Sequence, residues 1–175
     1  MANILIMYST TDGHTLEICQ YLKQVIERND NRVTLHSVDD DSSVDMRAFD
    51  KIVLGASIRY GKHSKQVYQY IKDNQQILDS KPNAFFSVNV VARKPEKNQP
   101  ETNPYLKKFL KQITWQPREL AVFGGKLNYP IYSFWDKQII RFIMWMTKGP
   151  TSPDTVIDYT DWDKVESFGQ LVSDM

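Results

Sequence analysis

The sequence predicts an α/β fold: a doubly wound five-stranded parallel sheet in the order 2-1-3-4-5, with a long helical insertion after or within the fifth strand. Three observations carry this expectation. Short unbroken apolar runs, such as Ile4 to Tyr8 and Ile52 to Leu54, mark strands covered on both faces. Each run is followed by a polar loop and then an amphipathic helical segment, so strands and helices alternate. The residues with chemical potential cluster after the first, third and fourth strands, where a sheet of this winding binds ligands at its switch point.

The elements follow in order. The first strand, Ile4 to Tyr8, enters the loop Ser9-Thr10-Thr11-Asp12-Gly13-His14-Thr15, and the spacing predicts a helix from Thr15 to Arg28. An Asn/Asp turn at Asn29 to Asn31 precedes an alternating strand from Val33 to His36. Asp39 to Asp45 reads as a solvated acidic connection, because it has no metal-ligand spacing. Lys51 to Ser57 is the third strand, followed by a two-glycine loop, Gly55 to Gly61, and a helix from Ser64 to Asn74. Pro82 introduces the fourth strand, Asn83 to Val90, which opens into a polar loop from Val91 to Thr102. Asn103-Pro104 is an N-cap and first-turn pair for a helix through Ile113. Leu120 to Phe123 is the fifth strand, and Thr160 to Asp163 starts a last helix whose Val165, Phe168 and Val172 share a face.

Length and composition narrow the function classes. A chain of 175 residues with no internal repeat is the size of one domain. Net charge is +1 and the cations are scattered, apart from a local excess at Arg93, Lys94 and Lys97, so no nucleic-acid footprint is indicated. Cys19, the one cysteine, falls among Leu16, Leu22 and Ile26 and reads as a buried small hydrophobe. With no disulfide to form, the chain suits a reducing compartment. Its start lacks a basic region, apolar core and cleavage site, so the mature protein is expected to begin near Met1.

The loop after the first strand reads as a phosphate cradle. Its hydroxyls and one glycine stand where a buried strand turns into a helix, so amides, hydroxyls and the helix dipole converge on one anion. It contains no lysine, and its spacing fits neither GxxxxGK[ST] nor GxGxxG, which argues against a nucleoside triphosphatase and a dinucleotide fold. The loop resembles the flavodoxin phosphate-binding loop, with Asp12 set before Gly13, and that resemblance implies flavin mononucleotide (FMN).

Too much chain separates the fifth strand from the last helix. A plain connection takes about 2–6 residues, whereas Lys126 to Asp158 intervenes. Ser133 to Lys148 has a helical pattern with Trp135, Ile139, Phe142, Ile143 and Met146 on one broad face, beside a stripe of Lys137, Arg141 and Lys148. Such a helix suits a membrane interface, although packing on its own sheet or on a second copy explains the pattern equally well. Spanning a bilayer takes about 20 apolar residues, and Arg141 interrupts this shorter run.

Beyond the first loop, Gly55-Ala56-Ser57-Ile58-Arg59-Tyr60-Gly61, Ser87 to Lys97, Tyr129-Pro130 and Tyr159-Thr160-Asp161-Trp162 resemble one family closely: the bacterial menaquinone-dependent protoporphyrinogen IX dehydrogenases, flavodoxin-like enzymes of haem biosynthesis. Thr11 and His14 depart from the Arg and Gln that the family often shows there. The resemblance runs over nearly the whole chain and implies oxidation of protoporphyrinogen IX by FMN, with electrons passed to menaquinone or ubiquinone at the cytoplasmic side of the bacterial inner membrane. The phosphate would be held by Ser9, Thr10, Thr11, Asp12, Gly13, His14 and Thr15. The ring system would lie between Ser57, Ile58, Arg59, Tyr60, Gly61 and Ser87, Val88, Asn89, Val90, Val91. Arg59, Arg93, Lys94 and Lys97 are the candidates for the substrate propionates, because guanidinium forks match carboxylates. Trp135, Ile139, Phe142, Ile143 and Met146 are the candidates for peripheral membrane contact. The chemistry is the flavin's, and no catalytic side chain and no metal are assigned. A soluble flavodoxin-type electron carrier and a flavin-dependent quinone reductase stay open as alternatives, as does a homo-oligomer.

Overall fold

The computed structural model describes residues Met1–Met175. Five parallel strands form the central sheet: β1 Asn3–Ser9, β2 Arg32–Ser37, β3 Lys51–Ser57, β4 Asn83–Asn89 and β5 Glu119–Gly124. They lie in the order β2-β1-β3-β4-β5. Residues alternate across the sheet because side chains of a strand point to opposite faces. Ile4, Ile6, Val53 and Phe86 meet α1 (His14–Glu27) and α5 (Trp162–Asp174) on one side. Leu5, Met7, Ile52, Leu54 and Phe85 meet α2 (Lys65–Ser80) and α3 (Pro104–Gln112) on the other. Both faces are thus buried over β1, β3 and β4, which is why these strands read as continuous apolar runs, whereas the edge strand β2 alternates.

The register brings the strand ends level. Ser9 pairs with Ala56, Ser57 with Val88, and Asn89 with Gly124, so the loops after β1, β3, β4 and β5 open on the same edge. The caps are legible locally. Asn103 Oδ1 accepts from the Leu106 amide at 3.1 Å, and Asp161 accepts from Lys164 at the start of α5. Cys19 is fully buried in α1, and burial pushes its thiol pKa up. α2 continues to Ser80, beyond the Asn74 end expected, because Ile77 and Leu78 extend its apolar face onto the sheet.

After β5 the chain does not run directly into α5. β6 (Lys126–Asn128) and β7 (Val156–Asp158) pair antiparallel as a small second sheet, and α4 (Phe134–Met146) lies between them. Leu127, Tyr129 and Met144 form a separate buried cluster beneath α4. At Gly124 a Cβ would lie 2.2 Å from the Tyr159 carbonyl oxygen. Only glycine lets the returning chain pack this closely beside the end of β5. No helix is long and apolar enough to cross a membrane.

Candidate functional site

The loop between β1 and α1 turns on Gly13, whose φ of 88° lies in the left-handed region that a side chain disfavours. The Gly13 amide donates to Thr10 Oγ1 at 3.0 Å, which folds the loop back on itself. The next amides open α1 and have no partner within the helix. Thr15 is buried, and its hydroxyl has no hydrogen-bond partner. An orphaned hydroxyl beside a helix N-terminus is what an anionic ligand would satisfy. Ser9 instead faces inward, its Oγ 3.2 Å from Ser64 Oγ at the start of α2.

His14 fixes the loop to the far end of the chain. Its Nδ1 is 3.0 Å from Glu17 Oε2, and its Nε2 is 2.6 Å from Thr160 Oγ1 and 3.5 Å from Asp158 Oδ1. Thr160 Oγ1 also lies 2.8 Å from the Gly124 carbonyl oxygen. The cradle is therefore joined to β5, β7 and the approach to α5 through one imidazole.

The loop after β3 closes in a tight turn, with the Arg59 amide donating to the Lys62 carbonyl at 3.0 Å and the return bond at 3.3 Å. Tyr60 and Gly61 at its centre have φ of 52° and 79°, the pattern of a mirror-image turn. Tyr60 thus stands out from the loop, and its hydroxyl donates to Asp136 at the start of α4. Arg59 pairs with Asp12 of the cradle. Its guanidinium lies 5.3 Å from the centre of the Tyr132 ring.

Beneath this loop lies His63, which sequence reasoning missed. Its Nδ1 is 3.1 Å from the Ser57 carbonyl oxygen, which can only accept, so Nδ1 carries the proton and Nε2 is left to accept from Ser87 Oγ at 3.4 Å. Burial among Phe85 and Phe109 pushes the pKa down to about 4, against the opposing pull of the Ser57 bond. Ser87 is fully buried and supports the loops instead of facing a ligand. Asn89 Oδ1 accepts from the Ala92 amide at 3.1 Å and from Asn103 Nδ2 at 3.0 Å, which sets the path of the chain after β4.

These loops and the inner face of α4 enclose an open cleft with about 920 Å³ of empty volume, open solvent included. Thr10, Thr11, Asp12, His14 and Thr15 line one end, and Ser57 to Gly61 with Val88 to Val91 line its length. The insertion supplies the remaining wall through Leu127, Tyr132, Ile140, Ile143, Met144 and Thr147. Ile143, grouped with the outward face by its spacing, is half-buried and faces this cleft, because it sits at the edge of the helix's apolar arc. Arg141 also turns inward, with Nε donating to the Thr151 carbonyl at 2.7 Å. Of the four candidate cations, Arg59 and Arg93 line the cleft, whereas Lys94 and Lys97 do not. Arg93 spans from the Val90 carbonyl, at 3.2 Å, to the Thr147 carbonyl, at 3.1 Å, and so ties the loop after β4 to the end of α4.

A strand-turn-helix cradle of hydroxyls and amides, at the switch point of a sheet ordered 2-1-3-4-5, defines a flavodoxin-class protein with a flavin site. The flavodoxin domain model matches residues 5–154. Among solved structures, a short-chain flavodoxin superposes with a TM-score of 0.56 over 99% of this chain and 98% of its own, at 13% identity. A WrbA-like flavodoxin from Agrobacterium tumefaciens gives 0.56 over 99% and 96%, at 14% identity. These two likenesses concern the fold.

Sequence relatives are more specific. The chain is 39% identical over 169 residues, 97% of its length and 93% of the relative's, to an Escherichia coli K12 protein named protoporphyrinogen IX dehydrogenase (quinone). A Leishmania major protein of the same name is 43% identical over 165 residues, 94% of this chain and 71% of that one. The chain belongs to the protoporphyrinogen IX dehydrogenase (quinone) family.

Proposed function

We propose that the protein binds FMN in this cleft and oxidises protoporphyrinogen IX to protoporphyrin IX, delivering the electrons to a membrane quinone, menaquinone or ubiquinone, in haem synthesis. The observation that carries this reading is the cleft itself: one end is a phosphate cradle with an unpartnered hydroxyl, and one long wall is a helix whose other face is apolar and exposed. The Thr10, Thr11 and Thr15 hydroxyls and the first amides of α1 would hold the phosphate, each charge-assisted bond contributing roughly 1.5–3 kcal/mol. Ser57 to Gly61 and Val88 to Val91 would flank the ring system, as its size requires a wall on each side. Bound flavin supplies the hydride and electron transfer, three two-electron turns for the six electrons of full aromatisation.

The chain's own residues position, shield and admit. Val90, Val91, Leu127, Ile140 and Met144 give the cleft apolar walls suited to a porphyrinogen and a quinone ring. Arg93 places positive charge along it for a substrate propionate, while Arg59, also in the lining, is paired with Asp12, and Lys94 and Lys97 lie outside the lining.

The outer face of α4 addresses where these greasy partners come from. At about 100° per residue, Phe134, Trp145, Phe142, Trp135, Met146 and Ile139 occupy one arc, and all are exposed. Trp135 is 74% and Trp145 69% exposed. Aromatic side chains concentrated on one face of a short helix suit the headgroup boundary of a bilayer. In this reading the protein sits peripherally on the cytoplasmic face of the inner membrane, with α4 between lipid and flavin, and the exposed aromatic arc of α4 supports the peripheral contact.

Anaerobic visible spectroscopy of the FMN-loaded protein tests the reaction directly. Porphyrinogen alone should bleach the flavin bands, and a quinone should restore them. A flavin that porphyrinogen leaves oxidised sinks the proposal in favour of a simple electron carrier.

A further inference from the structure

The phosphate cradle contains an acidic side chain. Asp12 lies between Thr11 and Gly13, lines the cleft and keeps a third of its side-chain surface exposed. A carboxylate beside a phosphate is a like-charge pair, which disfavours binding wherever it goes unbalanced. Other polar side chains near the cradle are engaged elsewhere: His14 with Glu17 and Asp158, and Lys126 with Glu17 at 3.7 Å. The charge facing Asp12 comes from the loop after β3, where Arg59 Nη2 donates to Asp12 Oδ2. That guanidinium is held in place by two aromatic rings from different elements, at 5.3 Å from the centre of Tyr132 and 5.9 Å from that of Tyr60. Stacking of this kind keeps a planar cation fixed, and arginine does not lose its charge.

We propose that Arg59 sets the specificity of the cradle for a phosphorylated flavin by neutralising Asp12. This inference rests on the flavin reading above and assigns to Arg59 a task distinct from pairing with a substrate carboxylate. Asp12 and Arg59 together present the phosphate with a balanced pair and leave the hydroxyls and amides to bind it. Without Arg59, the cradle presents a bare carboxylate to an incoming dianion. Unphosphorylated flavin, which brings no charge to this end of the cleft, is indifferent to the pair.

Quenching of flavin fluorescence on adding apoprotein measures this without turnover. Wild-type protein should bind FMN more tightly than riboflavin. Arg59→Met should weaken FMN binding by about ten- to hundredfold and riboflavin binding by less than about threefold. Removing the carboxylate as well, in Asp12→Asn/Arg59→Met, should restore FMN binding to within about threefold of wild type. Arg59→Lys, which keeps the charge, should keep the preference for the phosphorylated ligand. Circular dichroism checks that each variant is folded. Equal loss for both flavins in Arg59→Met overturns the inference, since Arg59 would then act on the ring. So does a double variant that recovers nothing, or a wild type that binds both flavins equally. A wild type that binds neither flavin overturns the flavin reading itself, and this inference with it.

Discussion

The central sheet and the segment from β6 to β7 share the cleft, yet they are held by very different amounts of interior. The sheet is clamped between buried clusters of 16 and 15 residues, one on each face, so β1, β3 and β4 are fixed by packing over nearly their whole length. The segment that carries α4 has a buried cluster of three residues, Leu127, Tyr129 and Met144. It is fastened beyond that by polar ties: Tyr60 to Asp136 at the start of α4, Arg93 to Thr147 at its end, and the Tyr129 hydroxyl donating to the Pro150 carbonyl at 2.8 Å. One wall of the site is therefore set by the fold as a whole and the other by a few contacts. Local stability follows buried apolar contact, so the α4 wall is the one that opens first.

The largest expected effect breaks the comparison from outside. Replacing Trp135, Phe142 and Trp145 together with Glu changes only exposed side chains, so the melting transition and FMN affinity should stay close to wild type. Each of these side chains would contribute about 1.5–3 kcal/mol on entering an apolar boundary. Partition onto vesicles of anionic lipid, read by co-sedimentation, should fall about a thousandfold or more. Unchanged partition would remove the outer face of α4 from membrane contact.

Next in size is Met144→Ala. Met144 is 3% exposed and fills the space beside Gly149. Truncating a buried methionine costs about 2–5 kcal/mol where the site cannot collapse. Because the cluster beneath α4 is small, the loss should appear locally. Amide exchange of residues 126–158 should accelerate by about a hundredfold while β1, β3 and β4 keep their protection. Equal acceleration throughout would mean that the two regions unfold as one unit.

The same contrast decides what could be read from the amino acids. β1, β3 and β4 were legible because burial on both faces demands unbroken apolar runs, α3 and α5 because their caps are local, and α1 because its periodicity is. The turn after β1 was legible for a related reason, since the residues that line the cleft there, Thr10 to Asp12, His14 and Thr15, are close together in the chain. β6 and β7 were not foreseen: each has three residues, and their pairing of Lys126 with Asp158 depends on the chain returning from α4. Helical spacing located α4 but not its orientation. Met144 and Trp145 are neighbours in the chain, yet the first is a buried anchor and the second a surface aromatic. His63 had no signal beyond its place between Gly61 and Ser64, because its role comes from Ser57 and Ser87 on two different strands.

His63 also offers a way to sharpen the comparison from the sheet side. Its ordinary pKa of 6.5 is pushed down to about 4 by burial, so the unfolded chain binds a proton at mildly acid pH that the folded chain refuses. Stability is full above pH 6.5 and falls as pH drops toward 4. That gap corresponds to about 3 kcal/mol. His63→Gln should flatten this part of the curve of unfolding free energy against pH. A curve with the same slope in the variant would place the acid sensitivity elsewhere.

The smallest expected effect separates what the cradle does for the fold from what it does for a ligand. Thr15→Val keeps the shape and β-branching of the side chain and removes a buried hydroxyl that has no partner. An unpaired buried polar group is a cost to the empty protein. The apoprotein should therefore be as stable as wild type, or more stable by up to about 1 kcal/mol. If that hydroxyl meets the flavin phosphate, the variant should bind FMN about tenfold more weakly, the lower end of a hydrogen bond to a charged group. Opposite signs in the two measurements are the signature of a residue kept for the ligand at the expense of the empty fold. Unchanged FMN affinity would reduce Thr15 to a core residue with a misplaced oxygen.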